Sequence, residues 1–245
     1  NPRPLEGFSV KKRIKKRLEG LLYSKYITKF IGVSQYTVNH ILNDYGMFLK
    51  NKTSVVYNGI DTNVFKKRSL ENTNKFIVAS HLRASKGIQD LITALGELPL
   101  SVLNQITIDV YGEGPLEEEL KVQAERLAVD KAIHFKGSSP DLHILFSDYR
   151  YMIQPTYMEC FSLSILESLS ANLPVITTTV GGNLEVLTHG VNGYIFNPGD
   201  VKALARIIKD IVEEKEAIDL DTSDIVNTQF HIEKMVEDHL NILTL

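Results

Sequence analysis

Residues 151–179, YMIQPTYMECFSLSILESLSANLPVITTT, constrain the fold of this chain more than any other stretch. Residues 151–155 form a short apolar run of the kind a buried strand shows. Residues 161–171 place Phe161, Leu163, Ile165, Leu166 and Leu169 at helical spacing, and Pro174 stops the helix. Residues 175–179 are rich in β-branched side chains and read as a second buried strand. Strand, turn, helix and strand make one βαβ unit.

The chemistry of that unit follows from its geometry. A strand that ends just before a helix start aims free backbone N–H groups into the space above the sheet, which is a ready anion site. A phosphate there gains up to about 2 kcal/mol from the helix end. Ser162 and Ser164 add hydroxyls to the same turn, Glu159 lies within it, and Glu167 lies inside the helix. A carboxylate repels a phosphate but accepts hydrogen bonds from hydroxyls. Two glutamates flanking an anion-binding turn therefore fit a nucleotide-sugar, with sugar and ribose on either side of a diphosphate, better than a free phosphate. The plainer alternative stays open on this stretch alone: Glu159 as a surface-turn residue and Glu167 on the polar face of its helix.

Glu159, seven residues and then Glu167, followed by Ser-Leu-Ser-Ala-Asn-Leu-Pro-Val-Ile, resemble the signature of glycosyltransferase family 4. The resemblance implies an α/β fold: a Rossmann-like parallel sheet with helices on both faces, the C-terminal half of a GT-B fold plus a remnant of its N-terminal domain. It implies sugar transfer from a nucleotide donor, UDP first among them, with retention and without a metal or other cofactor. Glu159 would hold donor-sugar hydroxyls, the backbone of Phe161, Ser162 and Leu163 would meet sugar and phosphate, and Glu167 would hold the ribose. Cys160 stands where the family usually has glycine, which makes the turn less open to close backbone approach.

Other segments fit the same pattern in order. Residues 75–80 read as a strand, and "HLRASKG" at 81–87 leads into a helix over 88–98. Arg83 and Lys86 at a strand's C-terminal end are placed to neutralise a diphosphate, because ligands of open α/β sheets bind there; solvated loop charges are the alternative. The resemblance puts Lys86 in register with the family's cationic loop, and His81 stands where its arginine is usual. A strand at 105–111 runs into Gly112 and Gly114 in a tight turn, and Pro115 starts the helix at 116–128. The loop after a strand at 133–136 begins at Gly137 and by position flanks the base. "VGGNLE" at 180–185 opens a helix, with Gly181 and Gly182 letting backbone approach the donor. Residues 190–197 give a turn and the last strand, followed by a helix over 201–214.

The N-terminal part differs in charge. Residues 1–30 hold nine Lys or Arg and two Glu, a net +7, which leaves −10 for the rest of a chain whose total is −3. Residues 8–23 read as a basic amphipathic helix with Val10, Ile14, Leu18, Leu21 and Leu22 on one stripe. Three readings stand: contact with an anionic membrane surface at about 1 kcal/mol per basic residue, a solvated face on a packed helix, and a nucleic-acid arm, disfavoured because no aromatics interleave the charges. A strand at 27–33 and a helix from Gln35 to about Asp44, capped by Ser34, resemble the end of the family's acceptor-binding domain. We expect a remnant of that domain over 1–56, a polar segment at 66–74, a donor-binding domain over 57–230 with its hinge near Tyr57, and a C-terminal helix over 231–245 packing back across the hinge.

The remaining features bound the answer. The single cysteine, Cys160, excludes an internal disulfide, suggests a reducing compartment and reads as an apolar filler. No run of about twenty apolar residues marks a spanning helix. The seven histidines show no metal-ligand spacing, and Asp219-Leu220-Asp221 reads as a loop or cap rather than a metal pair. The start Asn-Pro-Arg-Pro suggests a piece of something longer. The expectation is a cytoplasmic protein, peripheral on a membrane through residues 8–23, that takes a nucleotide-sugar and a glycan or lipid-linked acceptor and transfers poorly alone. A nucleotide-sugar epimerase of similar fold and a non-catalytic donor-binding subunit are the alternatives.

Overall fold

Short runs of four or five residues, buried on both faces, build the main sheet. A computed structural model describes residues 8–68 and 73–244; the expectations for 1–7, 69–72 and 245 fall outside the described residues. In chain order the N-terminal unit comprises α1 (Val10–Tyr23), β1 (Phe30–Gly32), α2 (Gln35–Tyr45) and β2 (Thr53–Val55). The larger unit follows with β3 (Lys75–Ala79), α3 (Ile88–Gly96), α4 (Leu100–Leu103), β4 (Thr107–Tyr111), α5 (Glu117–Arg126), β5 (Ile133–Gly137), α6 (Leu142–Leu145), β6 (Tyr151–Gln154), α7 (Leu163–Ser170), β7 (Val175–Thr178), β8 (Gly193–Phe196), α8 (Val201–Val212), α9 (Asp224–Gln229) and α10 (Ile232–Leu243).

The main sheet is parallel throughout, in the order β5-β4-β3-β6-β7-β8. Side chains alternate across it. Phe76 and Val78 point into one core with Ile88, Leu91 and Leu95 of α3, Leu120 of α5, and Leu204 and Ile208 of α8. Ile77 and Met152 point into the other with Ile165, Leu166 and Leu169 of α7 and Val226 of α9. Helices on both faces explain why these strands read as continuous apolar runs rather than alternating ones. The strand order reverses direction between β3 and β6, and that switch point opens a crevice at the strands' C-terminal ends.

The sheet margins are marked. On β8 the Ile195 N–H donates to His189 Nδ1 at 3.0 Å. On β5 the register with β4 shifts between Val110 and Tyr111, next to exposed Lys136.

β1 and β2 form a parallel pair of their own, with a small core of Val38, Leu42 and Leu49. α1 packs on α2 by its polar face, through Lys16 Nζ–Asp44 Oδ2 at 3.2 Å and through Gly20, where a Cβ would lie 2.6 Å from the Tyr45 carbonyl oxygen. Its apolar stripe faces outward: Val10, Ile14, Leu18 and Leu21 are 70%, 55%, 54% and 59% exposed. α10 runs beside residues 59–60, with the Ile60 N–H on the Phe230 carbonyl at 3.0 Å and the Ile232 N–H on the Ile60 carbonyl at 2.9 Å.

Several expected elements contract. The helix of 161–171 begins at Leu163, because Ser162 caps it and accepts from the Ile165 N–H. Leu163, expected in the apolar face, is 48% exposed at the helix tip. The helix expected from 180 is a single 3-10 turn at Asn183–Glu185. Asn183, its first residue, turns its side chain back to donate to Thr177 and Thr178. The strand of 27–33 shortens to Phe30–Gly32, with the Ile27 carbonyl taken by Lys52 Nζ at 3.0 Å.

Candidate functional site

The loop after β3 and the turn after β6 meet at the switch point. The Ser85 carbonyl accepts from the Tyr157 N–H at 2.8 Å and from the Thr156 hydroxyl at 3.1 Å, which joins the two segments. Tyr157 adds a hydroxyl bond to Asp90 Oδ2 at 2.5 Å, and burial with that bond pushes its phenol up to about 12. Across this joint Lys86 Nζ lies 2.9 Å from Glu159 Oε2, with both side chains mostly covered. Glu159 Oε1 accepts from the Cys160 N–H at 3.1 Å. The two residues are therefore one ion pair, whereas the sequence treated them as separate contacts to phosphate and sugar.

Beyond Glu159 the turn carries free donors. Among the described residues no protein acceptor pairs with the N–H groups of Phe161, Ser162, Leu163 or Ser164. These four consecutive groups lead into the first turn of α7, where the helix dipole favours negative charge. The serine hydroxyls are less free than expected. Gln154 Nε2 donates to Ser162 Oγ and Ser164 Oγ, each at 2.9 Å. The Phe161 ring is buried against Tyr57 and Phe230, with centroids 5.2 and 5.4 Å away, so only its backbone can face a ligand.

Glu167 sits on the outward face of α7, one turn after Leu163, while Ile165, Leu166 and Leu169 point inward. Its carboxyl is partly buried, has no hydrogen-bond donor among the described residues, and is raised above the ordinary carboxylate range by desolvation. Arg83 is exposed at the start of the Ala84–Lys86 turn, and no acceptor among the described residues holds its guanidinium. His81 is exposed, with Nδ1 3.4 Å from the Glu113 carbonyl oxygen.

The glycines also meet other parts of the protein. A Cβ on Gly112 would lie 1.9 Å from the Ser80 carbonyl oxygen, and one on Gly114 2.4 Å from that of Leu82. They let the loop after β4 lie flat on the loop after β3, where the Leu82 N–H donates to the Glu113 carbonyl at 3.0 Å. Gly182 lies against Cys160, Phe161 and Ser34. Gly137 has positive φ, and a Cβ there would meet Glu113 Oε1 at 4.0 Å. Asp221 caps the start of α9 by accepting from the Ser223 N–H at 2.8 Å and its hydroxyl at 2.7 Å.

Ser34 and Glu185 tie the N-terminal unit to the larger one, a role their local sequence does not signal. Ser34 Oγ donates to the Cys160 carbonyl at 2.9 Å. Glu185 accepts from the Gln35 and Tyr36 N–H groups and from the Tyr57 hydroxyl. No local pattern marks Glu185; a lone glutamate after two glycines carries no such signal.

Residues 59–221 match the family model "Glycosyl transferases group 1". The chain belongs to this family. Among relatives of this group 1 chain, the N-acetyl-alpha-D-glucosaminyl L-malate synthase of Bacillus anthracis is 26% identical over 200 residues, 76% of this chain and 52% of that protein. The group 1 chain thus spans about half the length of that curated relative. Its fold aligns with HepE from Anabaena in complex with UDP at a TM-score of 0.85 and 25% identity, covering 98% of this chain and 69% of that one. HepE in complex with UDP and glucose aligns at 0.82 and 25%, covering 95% and 67%. These neighbours are GT-B glycosyltransferases, and the group 1 chain has the Rossmann-like α/β architecture of one half of that fold.

Proposed function

We propose that this glycosyltransferase chain is the donor-binding portion of a retaining, metal-independent hexosyltransferase that takes its sugar from a UDP-sugar. The observation that carries the reading is the run of four uncommitted N–H groups from Phe161 to Ser164, set beside the Lys86–Glu159 pair at the switch point. In this reading the diphosphate rests on those N–H groups, and Lys86 and Arg83 neutralise the charge that grows as it leaves, which is electrostatic catalysis of the oxyanion type. Glu159, oriented by Lys86, accepts from donor-sugar hydroxyls. Glu167 accepts from the ribose; its carboxyl, without a donor among the described residues, supports that role. Gly112, Gly114, Gly137 and Gly182 shape the loops around the donor. The HepE complexes with UDP, and with UDP and glucose, support the choice of base and class of sugar.

The acceptor hydroxyl attacks from the face the diphosphate leaves. The acceptor is a glycan or a lipid-linked sugar, as suits synthesis of a surface polysaccharide or glycolipid on the inner face of a membrane. The chain spans about half the length of its curated relative; taken alone, this polypeptide binds donor and turns it over more slowly than the ordinary rate of about 1 per second or more.

Thermal unfolding with UDP-, GDP- and ADP-sugars tests the reading. At one hundred times its dissociation constant the right donor adds about 2.7 kcal/mol of stability. We expect UDP-sugars to do so and Lys86→Ala to abolish the shift. No shift with any nucleotide-sugar overturns the reading. A second reading, an epimerase, is separated by incubating donor without acceptor: a changed sugar supports it.

A further inference from the structure

The two units of the chain meet at a polar joint beside the turn at 159–161. Glu185 closes the short turn at Asn183–Glu185, and its carboxylate takes three donors at once. Oε2 accepts from the Gln35 N–H at 2.8 Å and from the Tyr57 hydroxyl at 2.8 Å, and Oε1 accepts from the Tyr36 N–H at 2.9 Å. Gln35 and Tyr36 are the first two residues of α2. The carboxylate therefore fills the end of a helix where N–H groups lack internal partners and negative charge is favoured. Burial and the bond to Glu185 push the Tyr57 phenol up to about 12, as expected of a hydroxyl pressed against a carboxylate.

The same helix tip reaches the donor turn. Ser34, fully buried, accepts from the Thr37 N–H at 3.1 Å and donates to the Cys160 carbonyl at 2.9 Å. That carbonyl also accepts from the Gly182 N–H at 3.0 Å. Cys160 lies between Glu159 and Phe161, so the joint and the turn share one peptide. A shift of α2 must break bonds at Glu185 or pull on that peptide.

We propose that Glu185 is a positioning residue: it latches the tip of α2 to the turn at 159–161 and so sets where the N-terminal unit stands relative to the donor. The coupling to donor rests on the function proposed above; the latch itself does not. Each carboxylate oxygen accepts from a backbone N–H, so an amide cannot replace them without setting its NH2 group against the Gln35 or the Tyr36 N–H. Shortening the side chain by one methylene breaks the simultaneous reach to all three donors.

Hydrogen exchange on this chain tests the latch. In Glu185→Gln the amides of Gln35 and Tyr36 should exchange at least about tenfold faster, the loss expected when hydrogen bonds to a charged group are broken, while the amides of β3, β6 and β7 keep their protection. In the parent chain UDP should slow exchange at Gln35 and Tyr36. In Glu185→Gln that slowing should disappear while UDP still binds, weaker by the same factor by which it slowed exchange in the parent, a reciprocity that a merely structural loss would not give. Unchanged exchange at Gln35 and Tyr36 in a folded variant overturns the latch, as does UDP slowing that persists. Should Glu185→Gln lose protection across the sheet, Glu185→Asp is read by the same two criteria. Failure of UDP to bind the parent removes the donor reading alone, since the ligand-free comparison still decides the latch.

Discussion

At the scale of the residue, Glu167 is the sharpest probe. Its carboxyl is raised above the ordinary range because burial disfavours the charge and no donor among the described residues offsets it. A raised value means that the folded chain binds the proton more tightly than the unfolded chain. Stability is then fullest below the ordinary carboxylate value and declines as pH rises through the raised one. Glu167→Gln removes that decline. We expect the variant to unfold at higher temperature than the parent at pH 7 and at the same temperature near pH 4. Equal unfolding temperatures at pH 7 contradict the assignment. Ribose hydroxyls would favour the ionised form, so UDP affinity should weaken on acidification more in the parent than in Glu167→Gln, which titration calorimetry at two pH values measures. The Glu159–Lys86 pair shows the limit of sequence at this scale. Each was identified by its chemistry, but their contact at 2.9 Å depends on two strands that are adjacent only because the sheet reverses there.

Elements decide how firmly that chemistry is held. α7 is short, and Ser162 supplies both its cap and an acceptor for Gln154. Ser162→Ala should cost about 1 kcal/mol, the usual loss for a cap, while Ser162→Thr should keep most of it; chemical denaturation of both variants checks this. The sequence made β6, α7 and β7 legible because strands buried on both faces leave unbroken apolar runs and a proline ends the helix. The turn at Asn183–Glu185 was illegible for the opposite reason. Its shape comes from a side chain turning back on its own strand, and Glu185 finds its partners 149, 150 and 128 residues away along the chain. The glycines at 112 and 114 were legible as a turn. Their crowding by the neighbouring loop was not, because it depends on two strand ends lying side by side.

At the scale of the whole molecule, the outward stripe of α1 asks for an occupant. Val10, Ile14, Leu18 and Leu21 are more than half exposed, flanked by Lys11, Arg13, Lys15 and Arg17. A membrane bearing anionic headgroups suits that pattern, with about 1 kcal/mol from each basic residue near the surface. Vesicles containing phosphatidylserine should co-sediment the chain at low salt and release it at high salt. Leu18→Glu, on an exposed position, should prevent binding with no loss of fold. Binding that ignores lipid charge contradicts this placement.

The margins of the large sheet carry one more consequence. A bare outer strand invites another chain to add to the ladder. Here the imidazole of His189 already occupies the outward amide of β8, and β5 meets its neighbour out of step beside a lysine. Both borders of this sheet are thus poor templates for a borrowed strand.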